Sequence, residues 1–273
     1  MLLLEIAYPQ IDPVAVQIGP LPIRWYALAY IAGLIGGWLY ARRLVRRAGL
    51  WGAVKPPSLD SLDDLLVYAA LGVVIGGRAA YVVFYNPGVF LAQPLEIFAV
   101  WKGGMSFHGG LIGAALGVWL FARRHRLAVL PVADLCSAVV PIGLFLGRIA
   151  NFIKPELWGR ASDAPWAMVF PDAGPMARHP SQLYEAGLEG IALFVILFLA
   201  VRTGAFKTPG KVAGMFGVFY GLARIACEFF REPDPQLGFL FGGATMGMLL
   251  SLPLVAAGAF LWLRARAPHG AAA

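Results

Sequence analysis

A small set of polar and ionisable residues is embedded in the long apolar runs of this chain: Arg24 and Tyr26, Arg78, His108, Arg148 and Asn151, Gln182, Tyr184 and Glu185, and Tyr220, Arg224 and Glu228. Such groups are costly in a membrane span, so each is a functional-site candidate for which a partner has to be named. Tyr220, Arg224 and Glu228 recur every four residues and share a helix face; Arg148 and Asn151 share one at i, i+3. A guanidinium fork matches the geometry of a phosphate, so two arginines facing one cavity point to an anionic phospholipid headgroup. The alternative is internal ion pairing, Arg224 with Glu228 and Arg148 with Glu156. His108 heads the run HGGLIGAALG. An imidazole of ordinary pKa, ~6.5, can take a proton from a thiol or a hydroxyl; the alternative is a hydrogen-bonded core histidine. Asp134 and Glu189 lie deeper in their runs, where structural hydrogen bonding is expected. His125 sits in a basic run, and His179 before Pro180 divides between a helix-start role and catalysis.

The elements that position these residues follow from composition. Of 273 residues, 59% are hydrophobic and 14% charged, against ~25% charged in soluble domains, and the mean hydropathy is +0.71. That excludes a disordered chain, a coiled coil and an ordinary cytosolic enzyme. Seven apolar runs suffice to cross a bilayer as helices, at about 22–41, 62–84, 104–122, 129–153, 182–201, 212–230 and 240–263. The alternation of an outer-membrane barrel is absent, so the expected fold is all-α, a polytopic bundle forming one membrane-embedded domain over 1–273. Arg42, Arg43, Arg46, Arg47 and Lys55, Arg123, Arg124 and Arg126, Arg202, Lys207 and Lys211, and Arg264 and Arg266 fall in alternate loops. By the positive-inside rule these loops are cytoplasmic, with the N-terminus outside and the C-terminus inside. The candidate residues of five helices then meet at the outer leaflet. Residues 1–21, 85–103 and 154–181 would form a small outer cap. The net charge of +7 is this topology signal, not a nucleic-acid footprint.

Cys136 and Cys227 lie in apolar runs without metal-ligand spacing and are expected to be packing residues. The start, MLLLEIAYPQIDP, lacks a basic n-region and a cleavage site, so the N-terminus is expected to stay on. No HExxH, GxSxG, Walker A or GxGxxG occurs. Ser106 near His108 hints only weakly at a serine hydrolase pair. A lipid or anion transporter would also need intramembrane arginines, but neither internal repeats nor paired broken helices are visible. An accessory protein that only binds phospholipid differs from an enzyme by turnover.

Several blocks carry a resemblance. GRIANFIKPELWG at 147–159 resembles the signature of the bacterial phosphatidylglycerol:prolipoprotein diacylglyceryl transferases, and IRWYALAY around Tyr26, SFHGGLIG around His108, RHPSQLYE at 178–185 and YGLARIACEFFREPD from Tyr220 to Asp234 are similar to that family's other blocks, in the same order. The resemblance implies a seven-helix enzyme of the bacterial plasma membrane with its active site toward the outer leaflet. Such an enzyme moves the sn-1,2-diacylglyceryl group of phosphatidylglycerol to the lipobox cysteine of a prolipoprotein, with neither cofactor nor metal. It further implies that Arg148 binds the phosphate, that Arg224 and His108 are essential, and that Tyr26, Asn151, Glu156, Gly159, Tyr220 and Glu228 belong to the site. The family usually has Asn two residues before the signature Glu; here Lys154 takes that place, open to pairing with Glu156 or to contact with the headgroup.

Overall fold

In lipid every backbone N–H and C=O needs a partner within the chain, which favours helices. The computed structural model, which describes residues 6–84, 87–233 and 238–268 without the side chains at 87, 89, 91, 102, 107 and 108, is accordingly mostly helical. The helices are α1 (Trp25–Val45), α2 (Ser61–Phe84), the short α3 (Pro87–Ala92), α4 (Phe107–Arg124) and α5 (Val129–Ile153). Then α6 (Ser181–Glu185) continues through a π-helical stretch, Ala186–Ala192, into α7 (Leu193–Arg202), followed by α8 (Lys211–Glu228) and α9 (Met246–Arg264). Four helical rods, at 61–84, 129–153, 181–202 and 246–264, are long and apolar enough to cross a membrane. At 1.5 Å per residue each spans about 30 Å. Helices α1, α4 and α8 have 21, 18 and 18 residues, a larger share of them Gly, aromatic or Arg.

The purely helical expectation needs correction outside the rods. Strand β1 (Ile6–Ala7) pairs parallel with β4 (Met168–Val169), and β2 (Val14–Ile18) forms an antiparallel hairpin with β3 (Leu21–Arg24). Residues 22–24, expected to open the first helix, are therefore strand, and Arg24 is the residue before α1. Two other helices start later than expected, at Phe107 and Met246. Gly103, Gly104, Gly242 and Gly243 precede them at positive φ, a conformation that ends regular helix.

Helix pairing is set by close backbone approach. Glycines along α2 face glycines along α4, so closely that a Cβ on Gly113 would overlap the Gly72 carbonyl oxygen; the small residues at the start of α4 thus receive α2. A similar seam joins Gly214 of α8 to Gly258 of α9, and Gly33 of α1 lies against Gly143 of α5. Gly113→Ala is expected to destabilise the protein by about 1–3 kcal/mol through overpacking. Gly110→Ala, whose Cβ would meet Val73 at 3.6 Å, should leave thermal unfolding in detergent unchanged. Equal effects of the two would refute the backbone seam.

Buried polar groups complete the frame. The Asp134 carboxylate of α5 accepts from the backbone N–H of Gly210 and Ala213, each at 2.7 Å, capping the start of α8; the structural role expected for it holds. Tyr8 donates its hydroxyl to the carbonyls of Phe152 (2.6 Å) and Ile153 (3.0 Å), two acceptors that the end of α5 leaves open. Together with Phe152, Phe170 and Trp158 it forms a small apolar cluster over that helix end, and burial pushes its phenol pKa up.

Candidate active site

Arg148 projects from the last turns of α5 and Arg224 from the last turns of α8, and their guanidinium groups meet over two glutamates of the rod that begins with α6. Arg148 Nη1 lies 3.0 Å from Glu185 and Nη2 lies 3.1 Å from Glu189. Arg224 Nη1 reaches Glu185 at 2.6 Å and Glu189 at 3.4 Å, and Nη2 pairs with Glu228 one turn further along α8. Arg231 Nη1 adds a third contact to Glu185 at 3.1 Å. Thr245, just before α9, donates its hydroxyl to Glu228 at 2.6 Å. Three arginines and three glutamates from four segments thus form one neutral network. Tyr220, a turn before Arg224, lies within electrostatic reach of Glu189, Arg224 and Arg148.

The network is asymmetric. The side chains of Glu185 and Glu189 are fully covered, whereas those of Arg148 and Arg224 keep 16% and 14% of their exposure. An incoming ligand therefore meets guanidinium, not carboxylate. Each guanidinium offers five N–H donors, and Arg148 uses only its two terminal nitrogens on the glutamates. The glutamates hold the forks in place and leave donors for a third anion.

A second group lies at the adjoining ends of α1 and α5. Asn151 Nδ2 donates to Glu156 Oε1 at 2.8 Å, and Lys154 pairs with Glu156 Oε2 at 2.6 Å. Lys154 also stands 5.9 Å from the Tyr26 ring, and the Tyr26 and Tyr30 hydroxyls are 3.4 Å apart. Tyr30 feels both Arg148 and Glu156 electrostatically, so it joins the two groups. The loop bearing Glu156 is held from below: Gln182 Nε2 donates to the Glu156 carbonyl (2.7 Å) and Ser181 Oγ to that of Leu157 (2.9 Å).

Gly159 has a packing role. Its N–H donates to the His179 carbonyl at 2.9 Å, and a Cβ would lie 2.6 Å from the carbonyl oxygens of both His179 and Phe230. Here the 157–160 segment threads between two backbones. His179 Nδ1 is 3.0 Å from the Tyr184 hydroxyl, which also accepts from Trp166 Nε1 at 2.6 Å. Burial pushes the imidazole pKa down.

Several sequence expectations change. Arg148 pairs with Glu185 and Glu189 and not with Glu156, while Arg224 does pair with Glu228. Glu189 is no remote structural group, since both arginines hold it. Arg78 donates to the carbonyls of Glu96, Ile97, Gly103 and Gly104 at 2.5–3.0 Å, so it pins the 94–104 loop in place of serving a phosphate. Ser106 accepts from Gly109 N–H at 3.3 Å as the cap of α4, which removes the hydrolase hint. His108 lies in the first turn of α4; its side chain lies outside the described residues. Arg231 and Thr245 were not singled out as site residues, and Glu185, a candidate from its place in an apolar run, was given no partner, although it shares a face with Glu189 four residues on.

Comparison with known proteins now bears on this geometry. A family model described as prolipoprotein diacylglyceryl transferase matches residues 13–264. Proteins named phosphatidylglycerol–prolipoprotein diacylglyceryl transferase are similar to this chain over nearly its whole length. The one from Methylocella silvestris is 68% identical over 96% of this chain and 98% of its own. Those from Beijerinckia indica and Rhodopseudomonas palustris are 66% and 60% identical, over 97% and 98% of this chain and 98% and 96% of their own. The chain belongs to the prolipoprotein diacylglyceryl transferase family.

Proposed function

We propose that this protein transfers the sn-1,2-diacylglyceryl group from phosphatidylglycerol to the lipobox cysteine of prolipoproteins, the first step of lipoprotein maturation. The observation that carries the reading is the pair of partly open guanidiniums of Arg148 and Arg224 above covered glutamates. In the reaction the cysteine sulfur attacks the glyceryl carbon that bears the phosphate. An S–C bond forms, the C–O bond breaks, the thiol proton passes to a base, and glycerol 1-phosphate leaves.

Residue roles follow from this chemistry. Arg148 and Arg224 bind the phosphate and stabilise the charge that grows on the leaving oxygen. A low-dielectric site strengthens both interactions. Glu185, Glu189 and Glu228 hold the forks in register, and Tyr220 lines the same group. Tyr26, Asn151 and Glu156 shape the neighbouring wall with Lys154, and Gly159 fixes the loop behind it. His108 assists deprotonation of the thiol, because the thiolate is the reactive form.

The whole chain acts as one membrane-embedded unit with seven spans in the bacterial inner membrane. Its basic loops face the cytoplasm, and the segments 1–21, 85–103 and 154–181 cover the outer side. Support comes from the charge distribution and from the position of Arg148, Asn151, Arg224 and Glu228 near the helix ends opposite those loops.

Release of glycerol 1-phosphate, followed by phosphorus NMR alongside loss of peptide thiol, tests the proposal. Equal amounts of the two support it, and thiol loss without the phosphate product refutes it. His108→Gln is expected to abolish transfer and leave phosphatidylglycerol binding intact. Turnover near the unmodified rate would remove His108 from the base role.

A further inference from the structure

Far from Arg148 and Arg224, at the other end of the helices, α1 and α7 enclose a groove of about 350 Å³. Its walls include Tyr40, Phe194 and Phe198, and its rim carries Arg43 from α1, Arg47 from just beyond its end and Arg202 from α7. Thirteen residues of helix separate Glu189 from Arg202, about 20 Å at 1.5 Å per residue, so the groove is remote from the guanidinium network.

Convergence and apolar walls single it out from the general excess of basic residues at this end, and the charges of its arginines are open to a ligand. Arginines from two helices converge there: Arg43, Arg47 and Arg202 all act electrostatically on the Tyr40 hydroxyl. Among the described residues none of the three forms an ion pair with a carboxylate. Arg202 lies over the Phe198 wall of the groove at 5.5 Å, whereas Arg42, Arg123 and Arg264 lie over Trp38, Trp119 and Phe260, which do not line it, at 4.6–5.2 Å. The walls are also apolar and aromatic, with Tyr40 and Phe194 ring centroids 5.4 Å apart and Phe198 stacked beside Phe194. A soluble polyanion would gain nothing from such walls. A lipid would lay an acyl chain along them while its phosphate met the guanidinium forks.

We propose that this groove binds an anionic phospholipid of the cytoplasmic leaflet, at a site separate from that of the substrate. The leaflet assignment rests on the membrane orientation given above, and the lipid chemistry on the groove itself. With two phosphates, a cardiolipin suits three convergent arginines.

Native mass spectrometry of the full-length protein, released from detergent carrying tetraoleoyl cardiolipin or dioleoyl phosphatidylcholine, tests the site. The unmodified protein is expected to retain one cardiolipin. The variant R43Q/R47Q/R202Q should retain it about a hundredfold less, on the scale of roughly 1 kcal/mol per basic residue near a membrane surface. R123Q/R124Q/R126Q, which removes equal charge from the same end, should retain it like the unmodified protein. Equal loss in both triple variants, or phosphatidylcholine held as firmly as cardiolipin, overturns the proposal. Should the groove variant fail to fold, R43Q alone and a salt series on the unmodified protein decide the matter: retention insensitive to both overturns it too. Diacylglyceryl transfer assayed on the same preparations keeps the two readings apart. Lost cardiolipin with transfer intact supports the groove, whereas absent transfer by the unmodified protein defeats the proposed function and leaves the lipid count unaffected.

Discussion

Arg148→Ala is expected to lower diacylglyceryl transfer by about 10²–10³-fold, the usual effect of deleting one preorganised donor at a developing charge. It should also destabilise the fold, by at most about 3–5 kcal/mol, because removing one member of a buried ionic network leaves its carboxylates short of positive charge. Both are fully covered; Glu185 keeps Arg224 and Arg231, while Glu189 keeps Arg224 at 3.4 Å. A second substitution separates the two effects. In Arg148→Ala/Glu189→Gln one of those carboxylates becomes a neutral amide, so much of the thermal stability should return. Transfer should not return, since the phosphate still lacks its fork. Melting in detergent and initial rates on the same samples distinguish the cases; activity that recovers with stability would make Arg148 a structural residue only.

Gly159→Ala is expected to cost about 1–3 kcal/mol of stability or more through overpacking, and to lower transfer by about 10²-fold, as misplacement near 1 Å commonly does. The obstruction is unusual in being backbone on both sides, the carbonyls of His179 and Phe230, neither of which can swing away like a side chain. The displaced segment would carry Glu156 with it on one side. On the other it would carry Arg160, whose guanidinium donates to the carbonyls of Arg231 (3.0 Å) and Glu228 (2.9 Å). Gly49→Ala, at a position with open space for a Cβ, provides the control and should leave rate and melting unchanged. A fully active Gly159→Ala protein would show that the segment gives way without disturbing the site.

The parts of the fold that were legible in the sequence are those dictated locally. Long apolar runs give helices in lipid whatever their partners, and the i, i+4 spacing of Arg224 and Glu228 is itself a geometric statement about a pair. The partners of Arg148 were not legible, because Glu185 and Glu189 come from a helix about forty residues away and no local spacing encodes that crossing. Glu189 was placed too deep for a related reason. Helical side chains lean toward the N-terminus of their helix, so Glu189 reaches back toward the start of its rod while Arg224, on the oppositely running α8, leans toward the start of its own helix to meet it. The π-helical stretch 186–192, a feature often found at functional sites, escapes a reading made at 3.6 residues per turn. Arg231 lies beyond the end of α8, where a search confined to apolar runs does not look.

A single measurement bears most directly on the central claim that this site moves a diacylglyceryl group to a cysteine. The purified protein is incubated with phosphatidylglycerol vesicles and a lipobox peptide, or the same peptide with serine in place of the cysteine, and the peptide masses are read. The account predicts a gain equal to one diacylglyceryl group on the cysteine peptide alone. No gain, with phosphatidylglycerol still bound to the protein, would contradict it and leave a protein that binds or moves lipid without transferring it.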